Sequence, residues 1–484
     1  MATIGKEKQW IIFSIAYWIL SLFILLNFNG TGQEADSINH FLHAKYAPHH
    51  LELYFNHWAK PLFTLLASPF AQFGFVGIKV FNILCAFGAS YFSFKIAKKL
   101  GLQWAILVPF FYFIFPISFT TTFSGLTEPL CALFLSAGIY LVQHKKYQLS
   151  ALLISFTPFI RSEGLIFIGV FGLLFLFYNQ KRALFLLLFG HLLYTAIGFL
   201  SGQDFLWVFT KIPYASLSSH YGSGSLFHFT EKLNYLMGIP LLILFILGIL
   251  YIAFHKREHN RETILVLSLF LAFFVAHSLF WYLEIFNSMG LKRVFAAVTP
   301  LMAIIALYGF NWFFHVNNYK LRLGIAGIVI AVVSIFPFTK NPAAMDWKDL
   351  NRTEAQENAA LVAQYIQPNI LENRRFIYTD PFLSEVLRID PFNEAQHLIL
   401  ATTKHTSPVS QFIVIENHRF TYKPEFYKTH TSITPGITED DVIIWDNWHS
   451  IIDYGVHEEL LAELNLLQEF KMGKSTYKVY RKKI

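Results

Sequence analysis

Residues 27–61 read NFNGTGQEADSINHFLHAKYAPHHLELYFNHWAKP and lie between two apolar runs. Glu34 and Asp36 fall just past the first run, and His40, His43, His49, His50, His57 and Lys60 follow. Acids and imidazoles at a hydrocarbon–water boundary are costly without partners, and imidazoles titrate near neutral pH. This loop is therefore a functional candidate. Working outward from it, residues 10–338 are apolar with short polar breaks, whereas 339–484 have the mixed pattern of a water-exposed domain.

The bulk composition agrees. Of 484 residues, 55% are hydrophobic and 14% charged, against roughly 25% charged in an ordinary soluble protein. The chain reads as a polytopic α-helical membrane protein. Its net charge of +7 is spread over short loops and forms no long basic run, which argues against nucleic acid as a partner. Cys85 and Cys131 both lie in apolar runs and offer neither a disulfide framework nor metal-site spacing. The first apolar run follows Lys6 and Lys8 without a small-residue cleavage pattern, so it reads as a retained helix.

Hydropathy divides the membrane part into about eleven crossings: 10–27, 74–94, 104–120, 124–142, 149–160, 164–178, 182–201, 237–255, 263–282, 294–313 and 321–338. The fifth and sixth are short and could be a broken pair. With eleven crossings, Lys6 and Lys8, Lys95 to Lys99, Lys145 and Lys146, Lys181 and Arg182, Lys256 to Arg261, and Lys320 and Arg322 all fall on one side, which should be cytoplasmic. The expected organisation is a transmembrane catalytic domain at 1–340, with outer loops 28–73 and 202–236, and a small extracytoplasmic α/β domain at 341–484. In that domain 352–367 and 455–471 read as helices, and Arg375–Asp380, His397–Leu400, Gln411–Glu416 and Thr476–Tyr480 as strands.

Several side chains carry candidate chemistry, each beside a plainer reading. Glu34 or Asp36 could act as a base or, with His40, hold a divalent cation; alternatively Asp36 caps a helix over 37–46. His57 and Lys60 in HWAKP could bind a phosphate, or Lys60 could simply snorkel beside Trp58. Glu128, Arg161 and Glu163 sit at the ends of apolar runs, as substrate-pocket groups or as structural ion pairs. Lys292 and Arg293 interrupt the positive-inside pattern. An anionic lipid headgroup is an economical reason for them, whether as substrate or as an anchor. His220 and Tyr221 in the second outer loop could contact a sugar or acceptor.

Four stretches, in this order along the chain, resemble those of the GT-C fold glycosyltransferases that use lipid-linked sugars. They are GQEAD at 32–36, HWAKPLF at 57–63, TPFIRSEGLIF at 157–167 and GLKRVFAAVTP at 290–300. The likeness is to the mannosyltransferase-like or aminoarabinose-transferase-like group. It implies inverting transfer of a sugar from a polyprenyl-phosphate donor to a lipid, glycan or protein hydroxyl at the outer face of a bacterial cytoplasmic membrane. On that resemblance Asp36 is the general base with Glu34 as its companion acid, Arg293 binds the donor phosphate, and Lys60 lies in the same phosphate region. The chain departs from members with adjacent acids, since Ala35 separates its pair, and it has one proline after Lys60 where some lipid-modifying members have two.

A transporter or flippase is the rival reading, because broken spans and intramembrane charge suit it as well. The chain shows no internal repeat, and its charged candidates crowd one membrane face. A purely structural membrane protein would leave that charge cluster without a use.

Overall fold

The computed structural model describes residues 6–32, 34–213, 215, 219, 221–254, 261–312, 318–369, 375–393, 395–399, 442–446 and 464–482. The first membrane helix α1 (Lys6–Asn27) is followed by two short helices of the first loop, α2 (Glu34–Tyr46) and α3 (Pro61–Ala71). Then come α4 (Gly74–Lys99), α5 (Leu107–Ile114), α6 (Pro116–Thr122), α7 (Glu128–Gln143), α8 (Tyr147–Ile154), α9 (Gly164–Phe177), α10 (Lys181–Leu186) and α11 (Phe189–Leu200). After α12 (Trp207–Thr210) and α13 (His228–Met237) the bundle closes with α14 (Ile239–Phe254), α15 (Arg261–Tyr282), α16 (Thr299–Trp312) and α17 (Tyr319–Ile335).

This is a multi-pass membrane architecture, but the expected eleven crossings do not form. Among the described residues six helices are long and apolar enough to cross a membrane: Lys8–Asn27, Gly74–Lys99, Lys181–Leu200, Arg261–Tyr282, Lys292–Trp312 and Lys320–Phe338. A seventh is reached only if the α13–α14 pair, bent by 118°, is taken as one span. The other expected spans are broken or short. Run 104–120 splits at Phe115, held extended (φ −58, ψ 126) by the following Pro116, which has no N–H to continue α5. Run 124–142 yields the 16 residues of α7. Runs 149–160 and 164–178 yield 8 and 14 helical residues, separated by a 3₁₀ turn over Thr157–Phe159. Run 237–255 becomes the 16-residue α14, bent away from α13 at Gly238 (φ +75). A straight crossing needs about 20 residues. Hydropathy counts apolar runs but does not show where proline and glycine interrupt the helix.

The centre of the bundle is α16, whose residues Thr299–Asn311 are all buried. It packs backbone to backbone on α14: a Cβ at Gly248 would stand 1.9 Å from the Ile305 carbonyl oxygen, and one at Gly309 1.9 Å from that of Leu244. Small residues permit this close approach where no hydrophobic drive separates helix from lipid.

The C-terminal β-sheet domain has five strands in the order β2-β1-β3-β5-β4. They are β1 (Phe376–Tyr378), β2 (His397–Ile399), β3 (Val442–Asp446), β4 (Leu464–Met472) and β5 (Ser475–Lys482). Strands β1, β2 and β3 run parallel, and β3, β5 and β4 antiparallel. Two helices accompany them, α18 (Glu354–Asn369) and α19 (Pro381–Leu387). The helix expected over 455–471 gives way to strand β4 from Leu464, because β5 supplies its hydrogen-bonding partner. The strand expected at Gln411–Glu416 lies outside the described residues.

This domain docks on the first loop. Lys45 pairs with Glu385 at 2.9 Å, His50 with Asp390 at 2.8 Å, and the Tyr46 hydroxyl donates to the Ile389 carbonyl at 2.9 Å. Gln356 donates to the Thr31 hydroxyl at 2.8 Å, and the Gly30 N–H to the Leu350 carbonyl at 2.7 Å.

Candidate active site

Asp36 lies in the first turn of α2, and the start of that helix is locked in place. Gly32 turns the chain at φ +82, where a Cβ would stand 2.6 Å from that of Ser124. The Ser37 hydroxyl donates to the Thr31 carbonyl at 2.7 Å and accepts from the Gly125 N–H at 2.6 Å. Asn82 of α4 holds the facing segment by donating to the carbonyls of Ser124 and Leu126. Helix α2 therefore begins at Glu34 and does not start from an Asp36 cap. The Glu34 side chain lies outside the described structure.

Lys60 is buried at the start of α3. The Asn56 side chain accepts from the N–H groups of Trp58 and Ala59, closing a tight turn. The turn leaves Lys60 at φ +68, a conformation costly to a residue with a Cβ. Strain of this kind is held where surrounding packing demands it. Here the Trp58 ring stacks on His40 at 4.9 Å, and Lys60 donates to the Ser162 hydroxyl at 3.2 Å.

Arg161 occupies the break between α8 and α9. One guanidinium nitrogen lies 2.5 Å from Glu128 Oε1 and donates to Thr127 at 3.2 Å; another donates to Glu163 at 2.9 Å. Its fork is thus filled by two carboxylates. Glu128 is fully buried behind it.

Arg293 sits in a 3₁₀ segment (Lys292–Val298) leading into α16. Phe295, enclosed by Phe229, Phe273 and Phe274, anchors that segment. Arg293 forms an ion pair with Asp36.

These groups face one cavity of about 370 Å³. Its polar wall comprises Asp36, His40, Lys60, Arg161, Glu163 and Arg293, with Thr127, Ser162, Asn287, Ser288 and His277. The apolar wall includes Trp58, Ile166, Phe229, Phe280, Phe286 and Leu291. Burial alone would push the Asp36 carboxyl up, but the Arg293 guanidinium, with a smaller contribution from Arg161, outweighs it and holds the carboxyl below its ordinary range. Burial lowers Lys60 to about 8, against the pull of the nearby Glu163 carboxylate. Burial also lowers His40 to about 3, so this imidazole is neutral at physiological pH.

His57, Lys292 and Tyr221 stand apart from the cavity wall. His57 packs on Trp207 at 4.8 Å, and Lys292 lies over the Tyr235 ring at 4.9 Å. The Tyr221 N–H donates to the Ser219 hydroxyl, and His220 lies outside the described residues. Among the described residues no group of three or more His, Cys, Asp or Glu side chains is placed to hold a metal ion. Five polar wall residues were not singled out in the sequence: Thr127, Ser162, His277, Asn287 and Ser288. His277 left a signal, an imidazole inside the apolar run of α15; Ser162 left none beyond its position between Arg161 and Glu163.

No known family model matches the sequence, and no curated protein matches it. Solved structures do. The chain has the GT-C fold of polytopic membrane glycosyltransferases, as the four short motifs implied. It is similar to ArnT from Cupriavidus metallidurans in the apo state, with TM-score 0.63 and 10% identity over 98% of both chains. It is equally similar to ArnT from Cupriavidus metallidurans bound to undecaprenyl phosphate, with TM-score 0.62 and 10% identity over 96% of this chain and 98% of that one.

Proposed function

We propose that this protein is an inverting glycosyltransferase that moves a sugar from a polyprenyl-phosphate donor to an acceptor hydroxyl. The observation that carries the reading is the meeting of Asp36, Arg293 and Lys60 on one cavity wall. An acid able to take a proton and two cations able to hold a phosphate are the groups the transfer needs. That ArnT holds undecaprenyl phosphate in the same fold supports the donor class.

The chemistry is a single in-line displacement. The acceptor oxygen attacks the anomeric carbon while Asp36 takes its proton. The bond from that carbon to the phosphate oxygen breaks, and polyprenyl phosphate leaves with the electron pair. Arg293 and Lys60 hold the charge that grows on it. Resting enzyme keeps Asp36 and Arg293 on each other. A donor phosphate competes for the guanidinium, which relieves the depression of Asp36 and so restores its basicity as the leaving group is bound. One attack from the face opposite the phosphate inverts the anomeric centre.

In this reading residues 1–340 form the catalytic membrane domain, and the cavity and the C-terminal domain face outward from a bacterial cytoplasmic membrane. The charges support that orientation. Helix α4 runs from a start near the docked sheet domain to Lys98 and Lys99, and α7 runs from Glu128 toward Lys145 and Lys146. Helix α9 begins beside Glu163 and leads to Lys181 and Arg182. Basic residues thus collect at the ends away from the cavity, as the positive-inside rule asks of a cytoplasmic face. A transporter gains no support, because the polar wall is built from one end of the bundle.

The test is to incubate purified protein with a panel of polyprenyl-phosphate sugars and follow released polyprenyl phosphate. Release that depends on Asp36 is expected. A protein that neither binds undecaprenyl phosphate nor releases it from any donor is not this enzyme.

A further inference from the structure

Deep in the same cavity, two polar groups face each other without touching. His277 projects from α15 and is only 5% exposed, yet it lines the cavity. Its Nε2 has no hydrogen-bond partner and lies 4.0 Å from Glu163 Oε1. A buried ring nitrogen left unsatisfied is destabilising, so this one calls for a partner that arrives with a ligand.

The spacing says what that partner is. At 4.0 Å the two atoms are too far apart to bond directly. A single hydroxyl oxygen set about 2.8 Å from each would close the gap at nearly a right angle. It would donate its proton to the carboxylate and accept from the imidazole N–H. Aromatic rings stand around this gap. His277 lies 5.8 Å from the Phe280 ring and 6.2 Å from Phe229, and Phe286 lies 4.8 Å from Phe280. Hydroxyls against a carboxylate, with C–H faces against aromatic rings, are the chemistry of a pyranose in a pocket.

Charge narrows the class further. Glu163 already accepts a hydrogen bond from Arg161, and Lys60 lies close enough to both to feel their charge. The carboxylate is neutralised before any ligand arrives, so it offers an acceptor and little net negative field. An ammonium on the sugar would meet Arg161 and Lys60 as neighbours and would be disfavoured.

We propose that Glu163 and His277 form the sugar-recognition subsite of this enzyme, and that the sugar it takes is uncharged and bears a free hydroxyl at that point. The proposal rests on the glycosyltransferase reading above. His277 here binds the sugar and takes no part in bond making.

The experiment measures binding of three probes to wild type, H277F and E163Q: undecaprenyl phosphate, a polyprenyl-phosphate hexose and a polyprenyl-phosphate amino sugar. H277F keeps an aromatic ring of similar size among Phe273, Phe229 and Phe295, which guards against misfolding if E163Q frees Arg161. Wild type should bind the hexosyl lipid more tightly than undecaprenyl phosphate. H277F should lose about tenfold in hexosyl-lipid affinity, about 1.4 kcal/mol, while its affinity for undecaprenyl phosphate stays the same. Equal losses on both lipids, or no loss on either, would overturn the subsite, the second result meaning that the gap holds only water. A wild-type preference for the ammonium-bearing donor would overturn the uncharged class. Protein that binds none of the three lipids would instead overturn the glycosyltransferase reading, and this subsite with it.

Discussion

Asp36 and Arg293 stand 257 residues apart in the chain and form an ion pair at the wall of one cavity. One comes from the first turn of a loop helix, the other from the 3₁₀ segment that leads into the most buried helix of the bundle. Each restrains the other, and on the proposed function a donor phosphate would compete for the arginine.

That exchange separates binding from chemistry. D36N should reduce sugar transfer by about 10²–10⁴-fold, the range for a lost general base. The same change leaves Arg293 without a charged partner, so affinity for undecaprenyl phosphate should hold or rise. Transfer rates and lipid binding measured on the same purified variant check both halves. D36N with near wild-type turnover would remove Asp36 from the role of base.

Arg293 should behave in the opposite way. R293A removes a charge-assisted contact worth about 1.5–3 kcal/mol, so donor affinity should fall roughly tenfold to a hundredfold. R293K keeps the charge but loses the two-pronged geometry and should recover only part of it. Donor KM and lipid-phosphate affinity are the readouts. Values unchanged in R293A would take the arginine out of donor recognition.

Lys60 supplies a pH signature. Burial lowers it to about 8, so in resting enzyme it is protonated below that pH and neutral above it. Only the protonated form attracts phosphate. Affinity for undecaprenyl phosphate should therefore be full below about 8 and fall as pH rises through it. In K60R the cation cannot be titrated in this range, and the fall should disappear. A profile that is the same in wild type and K60R assigns the titration elsewhere.

The Glu128–Arg161 pair should matter to stability more than to recognition. Glu128 is fully buried, and its ion-pair partner Arg161 lines the cavity. Breaking such a pair from one side costs about 3–5 kcal/mol. E128A should lower the thermal unfolding temperature in detergent well below that of H277F, whose position keeps its aromatic packing. Comparable melting curves for the two variants would show that the ion pair carries no such weight.

Much of the site was legible in the chain, because polar side chains are conspicuous in an apolar sequence. Asp36, Lys60, Arg161, Glu163 and Arg293 stood out as acids and bases at the edges of apolar runs, and the cavity gathers all of them. His57 and Lys292 stood out for the same reason but face Trp207 and Tyr235, since adjacency in sequence does not set the direction of a side chain. His277 sat in plain view within a membrane helix, yet its use depends on Glu163 across the cavity.

Composition and hydropathy were sufficient to establish a multi-pass membrane protein with a polar tail, because the cost of exposing backbone and charge to lipid acts on every residue of a span. They could not count continuous helices, since a proline at position 116 or a left-handed glycine at 238 interrupts an apolar run without making it less apolar. Only the tertiary structure decided that Asp36 meets Arg293 and that 4.0 Å separates His277 from Glu163. Those relationships arise from the packing of helices distant in sequence, and no local preference of the chain encodes the distance between them.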